Sequence, residues 1–218
     1  KAVGYEPLSE SLGQLREYYL YRQMVVRHRC SFEVRRGEKR LMMEKSAAKT
    51  VIAQSGKHIV SELNKEIAKI DKKIASLIES SYELSEVYKI VTSVPGIGTQ
   101  NAVCLMVYTD NFRRFNYDAR SIACYYGIAP FGKDSGASVH VEPHVHHMAN
   151  RHIKAMLTQA ALAAVRFNPS IAQYYQRLIG RGKKMPVAMN NVKNKLLHIV
   201  TSMVKNKQVY NPEHRFAA

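Results

Sequence analysis

The sequence predicts a mainly α protein: a helical hairpin or coiled coil first, then a helical domain with a helix-hairpin-helix motif and a small irregular or β insertion. Three observations carry that expectation. Apolar residues recur at helical spacing along most of the 218 residues. Glycine, proline and asparagine punctuate those runs where helices should start and stop. A single stretch, 128–146, lacks helical period. The expected domains are 1–88, a basic helical linker, 89–211, the second helical domain, and a tail of 212–218.

Taken in order, residues 8–30 read as a helix through Leu12, Leu15, Tyr19, Met24 and Val26. Arg27 to Arg40 continue it with dense positive charge, and Gly37 is where a break is expected. A second helix spans about 57–80, with Leu63, Ile67, Ile70, Ile74 and Leu77 at heptad spacing. Two heptads leave a coiled coil and one arm of an antiparallel hairpin equally open. Val94-Pro-Gly-Ile-Gly98 then interrupts two helical patterns, placing a boundary near Ser93. After a helix over 99–108 and a loop over 109–117, Asp118 caps a short helix that Gly127 closes. Residues 128–146 form a loop leading into a short strand or hairpin. Asn150 caps the next helix, whose inward face is Ile153, Met156, Leu157, Ala160, Ala161 and Ala164. A turn at Asn168-Pro169 starts a helix to Ile179, Gly180-Arg-Gly-Lys-Lys184 makes a basic turn, and Pro186 opens the last helix. Its inward residues are Val192, Leu196, Ile199, Val200 and Met203, and the tail from Asn206 is expected to fray.

Charge is the strongest global signal. Lys and Arg number 33 against 17 Asp and Glu, a net of +16. Residues 1–89 carry 17 basic and 12 acidic side chains, and 90–218 carry 16 and 5, so the second part is more exclusively cationic. Such an excess points to a polyanionic partner, because clustered cations release counterions from phosphates; an acidic protein or a membrane surface is the blander alternative. Cys30, Cys104 and Cys124 are isolated, which fits free thiols in a reducing compartment. No apolar run approaches the roughly 18 residues of a membrane span. No signal-peptide pattern opens the chain, and its first residue is Lys1, which raises the expectation of a trimmed or truncated chain.

Four groups of residues bear on chemistry. Gly96 and Gly98, flanking one apolar residue between helices, suit the hairpin of a helix-hairpin-helix, and with Thr99 they would offer backbone N–H groups to a phosphate; a glycine turn that only packs helices is the alternative. Lys133-Asp-Ser-Gly136 puts a hydroxyl in an irregular basic segment, although most Ser-Gly pairs are simple turns. His140, His144, His146, His147 and His152 crowd into 13 residues, but their spacing matches no common zinc pattern and no cysteine is near. Arg27, Arg29, Arg35, Arg36, Lys39 and Arg40, interleaved with Tyr18, Tyr19, Tyr21 and Phe32, suit stacking on unpaired bases of RNA, or else a solvated helix face. Arg181, Lys183 and Lys184 form a second basic cluster. The acids after residue 90, Asp110, Asp118, Asp134, Glu142 and Glu213, form no group able to hold Mg²⁺.

Several blocks in register resemble one family. They are Val94-Pro-Gly-Ile-Gly98, Phe115 to Pro130, Asp134-Ser-Gly136, Ala149-Asn-Arg-His-Ile-Lys154 and Lys183-Lys184 through Lys195-Leu196-Leu197 to Tyr210. Together they are similar to the carboxyl-terminal domain of DEDD insertion-sequence transposases, the RNA-guided serine recombinases that include the Piv-type invertases. The family commonly has Gly-Asn where Ala149-Asn150 stands, and a more basic segment at His146-His147-Met148.

The resemblance implies the carboxyl-terminal portion of a transposase that binds DNA and acts in DNA transposition. Ser135 is then the nucleophile that attacks a DNA phosphodiester. The DNA-binding residues implied are Gly96, Gly98, Thr99, Lys133, Gly136, Arg151, Lys154, Lys183 and Lys184, and the guide-RNA-binding residues are Arg27, Arg29, Arg35, Arg36 and Arg40. Mg²⁺ is expected in the full-length protein on an amino-terminal acidic domain, with none bound by this chain. The expected partners are DNA (element ends and target), a guide RNA and further copies of the chain in a dimer or tetramer, in the bacterial cytoplasm at the nucleoid and away from any membrane. By itself the 218-residue chain is expected to bind nucleic acid without cutting it. The competing readings are a non-catalytic nucleic-acid-binding remnant of a transposase and a histidine-bound zinc protein.

Overall fold

The computed structural model describes residues 8–42, 47–129, 131–135, 139–144 and 150–212, with the side chains of 35–42, 47 and both strands outside that description. The fold is mainly α, as the periodicity predicts, and it divides into two compact units, Lys1–Tyr82 and Glu83–Ala218. Among the described residues, no helix is long and apolar enough to cross a membrane.

The first unit is built on two long helices, α1 (Glu10–Met42) and α2 (Ala47–Ser80). Contacts between them run in opposite directions along the chain: Ser81 donates to Ser11, Arg22 to Asp71 and Arg29 to Asn64. The helices are therefore antiparallel, as the arms of a helical hairpin are. Leu12, Leu15, Tyr19 and Val25 supply the buried residues of α1, and Val60, Ile67, Ile70, Ile74 and Ile78 those of α2. Leu63 and Leu77, expected inward, are half-buried at the seam's edge, because 3.6 residues per turn drifts off a strict heptad. Two boundaries differ from expectation. Helix α1 runs unbroken through Gly37, whose cost of about 1 kcal/mol relative to Ala is small against a helix of 33 residues. Helix α2 starts ten residues earlier than periodicity suggested, over a stretch where Val51 and Ile52 are exposed and give no inward stripe.

In the second unit α3 (Tyr82–Thr92) and α4 (Thr99–Thr109) flank the Val94–Gly98 turn. Helix α4 is buried on nearly every side, from Ala102 through Val107, and forms the centre of the unit. Three consecutive non-glycine residues with positive φ, Asp110, Asn111 and Phe112, then reverse the chain. The Thr109 hydroxyl accepts from the Phe112 N–H, and the Asn111 amide donates to Glu83. A 3-10 turn at Arg113–Phe115 leads to α5 (Ala119–Tyr125), where the Asp118 carboxylate accepts from the N–H groups of Arg120 and Ser121 as its cap. Gly127, at φ 63°, closes that helix.

The stretch without helical period is a two-stranded antiparallel ribbon, β1 (Phe131–Ser135) and β2 (Val139–His144), with an irregularity between Phe131 and Lys133. Three helices follow: α6 (Arg151–Phe167), α7 (Pro169–Gly180) and α8 (Met185–Lys205). Asn150 caps α6 through the N–H groups of His152 and Ile153. The chain past Asn206 does not fray within the described residues. Tyr210 donates its N–H to Ser93 and shares two hydrogen bonds with the buried Asn168, tying the tail to the α3 and α7 ends. An aromatic ring able to reach that joint outweighs the polar composition that suggested a loose tail.

Candidate nucleic-acid interface

The ribbon is the local feature that presents position 135. Its root is fixed to α8, where the Asn190 amide donates to the Ile128 carbonyl at 2.7 Å, three residues before β1 begins. Its exit leads to the Asn150 cap of α6. Ser135 is the last residue of β1 and pairs with Val139, while Lys133 pairs with Val141 and Asp134 with His140. Gly136 lies outside the described residues.

The residues of the Val94–Gly98 turn separate. Gly96 has φ 104°, and a Cβ there would lie 2.4 Å from the Ala164 backbone nitrogen on α6. Its lack of a side chain is therefore required by helix packing. Gly98 is exposed with open space around it, and it precedes α4 without a side-chain cap hydrogen bond. Thr99 is exposed, its hydroxyl 2.8 Å from that of Tyr88.

The cations fall into three places. Arg151 is exposed and Lys154 half-buried in the first turn of α6. Arg181, Lys183 and Lys184 are all exposed in the turn between α7 and α8, which Gly182 closes at φ 79°. None of these five has a carboxylate within salt-bridge distance among the described residues, whereas Arg113 and Lys207 are paired with Glu83 and Glu86. In the first unit Arg27 is exposed and Arg29 bends back to Asn64. Tyr19 is fully buried, which makes it core; Tyr18, Tyr21 and Phe32 are exposed. The side chains of Arg35, Arg36 and Arg40 lie outside the described residues.

Sequence reasoning missed two cationic groupings. Tyr174 on α7 has the Arg177 guanidinium 5.5 Å and the Lys195 ammonium 5.9 Å from its ring centre. Partial burial and Arg177 hold Lys195 below the ordinary lysine range. Burial, then Arg120, push the nearby His198 down, and Asp118 opposes them. The second grouping centres on Lys193, a lysine inside an apolar stripe, which is a signal visible in the sequence. Of the crowded histidines, His152 is described, 6.3 Å from Tyr108 ring to ring. No group of three His, Cys, Asp or Glu converges among the described residues, and the Asp118 carboxylate accepts hydrogen bonds as the α5 cap.

Residues 88–176 match the Transposase IS116/IS110/IS902 family. That segment runs from the end of α3 to α7 and includes the whole ribbon. The chain is also 29% identical over 133 residues to the insertion element IS110 uncharacterized 43.6 kDa protein of Streptomyces coelicolor, covering 61% of this chain and 32% of that one. It is 23% identical over 146 residues to the pilin gene-inverting protein of Moraxella bovis, covering 66% and 45%. With the insertion element IS900 uncharacterized 42 kDa protein of Mycobacterium paratuberculosis it shares 26% over 163 residues, covering 73% and 41%. The chain thus spans between 32% and 45% of the length of these relatives.

Proposed function

We propose that this chain is the DNA-binding carboxyl-terminal portion of a transposase, acting in DNA transposition with Ser135 as the nucleophile. The observation that carries the reading is the family match over 88–176, whose matched span contains a β-ribbon with Ser135 at the end of its first strand. Cations without carboxylate partners on α6 and the α7–α8 turn support it, because such cations gain most from phosphate. The pilin gene-inverting relative points to recombination of DNA as the shared activity.

On this reading, Gly98 and the first turn of α4, Arg151 and Lys154 on α6, and Lys183 and Lys184 hold the phosphate backbone without reading bases. Gly96 serves through packing. Ser135, with Lys133 and Gly136 beside it in sequence, attacks a phosphodiester through its hydroxyl oxygen. The hydroxyl proton is lost, one P–O bond of the strand breaks, that strand end leaves as a protonated hydroxyl, and the other stays on a phosphoserine link. Mg²⁺ belongs to an acidic domain outside this chain, a guide RNA contacts the α1 arginines, and copies of the chain assemble in dimers or tetramers. The first experiment measures binding of the 218-residue chain to duplex DNA across salt, together with strand cleavage in Mg²⁺. The expected result is salt-dependent binding and intact strands. Absence of binding, or cleavage that Ser135→Ala abolishes in this chain alone, contradicts the proposal.

A further inference from the structure

Lys193 occupies a position in α8 that the helix otherwise gives to apolar residues, one turn from Met189 and one from Leu197. It is 7% exposed. Among the described residues its ammonium has one polar partner, the Thr158 hydroxyl at 3.4 Å, and that hydroxyl donates its own proton to the Lys154 carbonyl at 2.8 Å. The charge beside it is another cation. Burial first, and Lys154 second, push the Lys193 ammonium below the ordinary lysine range. Neither lysine has a carboxylate within salt-bridge distance among the described residues. A shielded cation next to a like charge is costly, and a fold keeps such an arrangement at low cost when an anion completes it.

The location gives that anion a place in the molecule. Asn190, one turn before Lys193, grips the Ile128 carbonyl where the chain enters the ribbon. Lys154 lies in the first turn of α6, its N–H bonded to the carbonyl of Asn150, six residues after β2 ends. Asn190 thus sets Lys193 one helical turn from the entry to the element that carries Ser135, and the Thr158 hydrogen bonds set Lys154 beside it.

We propose that Lys193 and Lys154, held in register by Thr158, form a phosphate subsite near the entry to the ribbon that takes a backbone phosphodiester of bound DNA. The proposal rests on the DNA-binding reading and deepens it, since one strand would be gripped here while its neighbouring phosphate meets the ribbon. Lys193 lies beyond the segment matched by the family, so the match does not supply this role.

The test uses the 218-residue chain, inorganic phosphate as the probe, and Lys193→Met, which keeps length and removes charge. Thermal unfolding is followed with phosphate replacing chloride at constant ionic strength, and DNA binding is measured across salt. Wild type should gain several degrees in Tm with phosphate. Lys193→Met should unfold at a higher temperature than wild type without phosphate and give no response to it. Its log–log salt slope for DNA should be shallower by about 0.9, the value of one phosphate contact. Lys205→Met, at an exposed position, should keep the phosphate response. A phosphate response retained in Lys193→Met overturns the subsite. If that variant does not fold, Lys154→Met decides on the same readout. Wild-type phosphate stabilisation without DNA binding would leave the subsite standing and remove the DNA reading. DNA binding with no phosphate response and an unchanged slope in Lys193→Met would do the reverse.

Discussion

In the α1–α2 hairpin, several cations have carboxylates: Arg22 makes a two-pronged contact with Asp71, and Lys65 and Lys69 sit one turn from Glu62 and Glu66 on the same helix. In the second unit, Arg151, Lys154, Lys183, Lys184 and Lys193 have no such partner among the described residues, and one of them is buried. Both regions are basic, yet their charge is organised for different ends. The Arg22 pair links the two helices, the Lys65 and Lys69 pairs stay within α2, and paired charges of either kind are largely neutral to the outside. Unpaired charges leave their electrostatic free energy to be gained on binding a polyanion. Pairing occurs in the second unit too, where Arg113 meets Glu83 and Lys207 meets Glu86, so the contrast lies in which cations are left without a carboxylate.

The largest expected effect breaks the second unit alone. Gly96→Ala places a Cβ against the Ala164 backbone at a φ of 104°, which should cost about 3 kcal/mol or more. Hydrogen exchange should show lost protection in α4 and α6, and the peptide at which the loss stops reports whether the boundary at Tyr82 is an energetic one. Next comes charge. Replacing Arg181, Lys183 and Lys184 together by alanine should flatten the salt slope of DNA binding by up to about 2.7, at about 0.9 per lost phosphate contact. Replacing Lys65 and Lys69 should leave it unchanged, and an equal loss from that pair would erase the distinction between the units.

Smaller effects sharpen the contrast. Arg22→Ala should destabilise the hairpin by about 1 kcal/mol at low salt and less at high salt, read by urea unfolding. Asp118→Ala should cost about 0.5–1 kcal/mol near neutral pH through loss of the α5 cap. Hydrogen bonds from the Ser121 hydroxyl and N–H and the Arg120 N–H hold the Asp118 carboxyl below its ordinary value. A depressed carboxyl stabilises above its unfolded pKa and stops doing so as pH falls through the folded one. The variant's deficit should therefore be full at neutral pH and fade below about pH 3.9.

Much of the helical frame was legible because each helix start carries local chemistry. Asp118 and Asn150 cap where their side chains reach the N–H groups two and three residues on, and Pro169 and Pro186 open helices that need no N–H at that point. Long-range contacts were not legible. Tyr210 bonds to residues 42 and 117 positions away, and no local pattern announces such a meeting. The reversal at Asp110–Phe112 uses positive φ without glycine, so its usual marker is missing. The site was half visible. Loss of helical period marked the ribbon, while the role of Ser135 came from resemblance and not from spacing. Gly96 looked able to approach a phosphate, but a glycine does not name its neighbour, and here the neighbour is Ala164. Lys193 was hidden by the habit of reading lysine as solvated surface.

The claim on which the account turns is a covalent step at position 135. Full-length protein with Mg²⁺ and element-end DNA should yield a DNA–protein adduct that maps by mass spectrometry to the peptide containing Ser135 and disappears in Ser135→Ala. An adduct on a different residue, or strand transfer by Ser135→Ala at the wild-type rate, would contradict it.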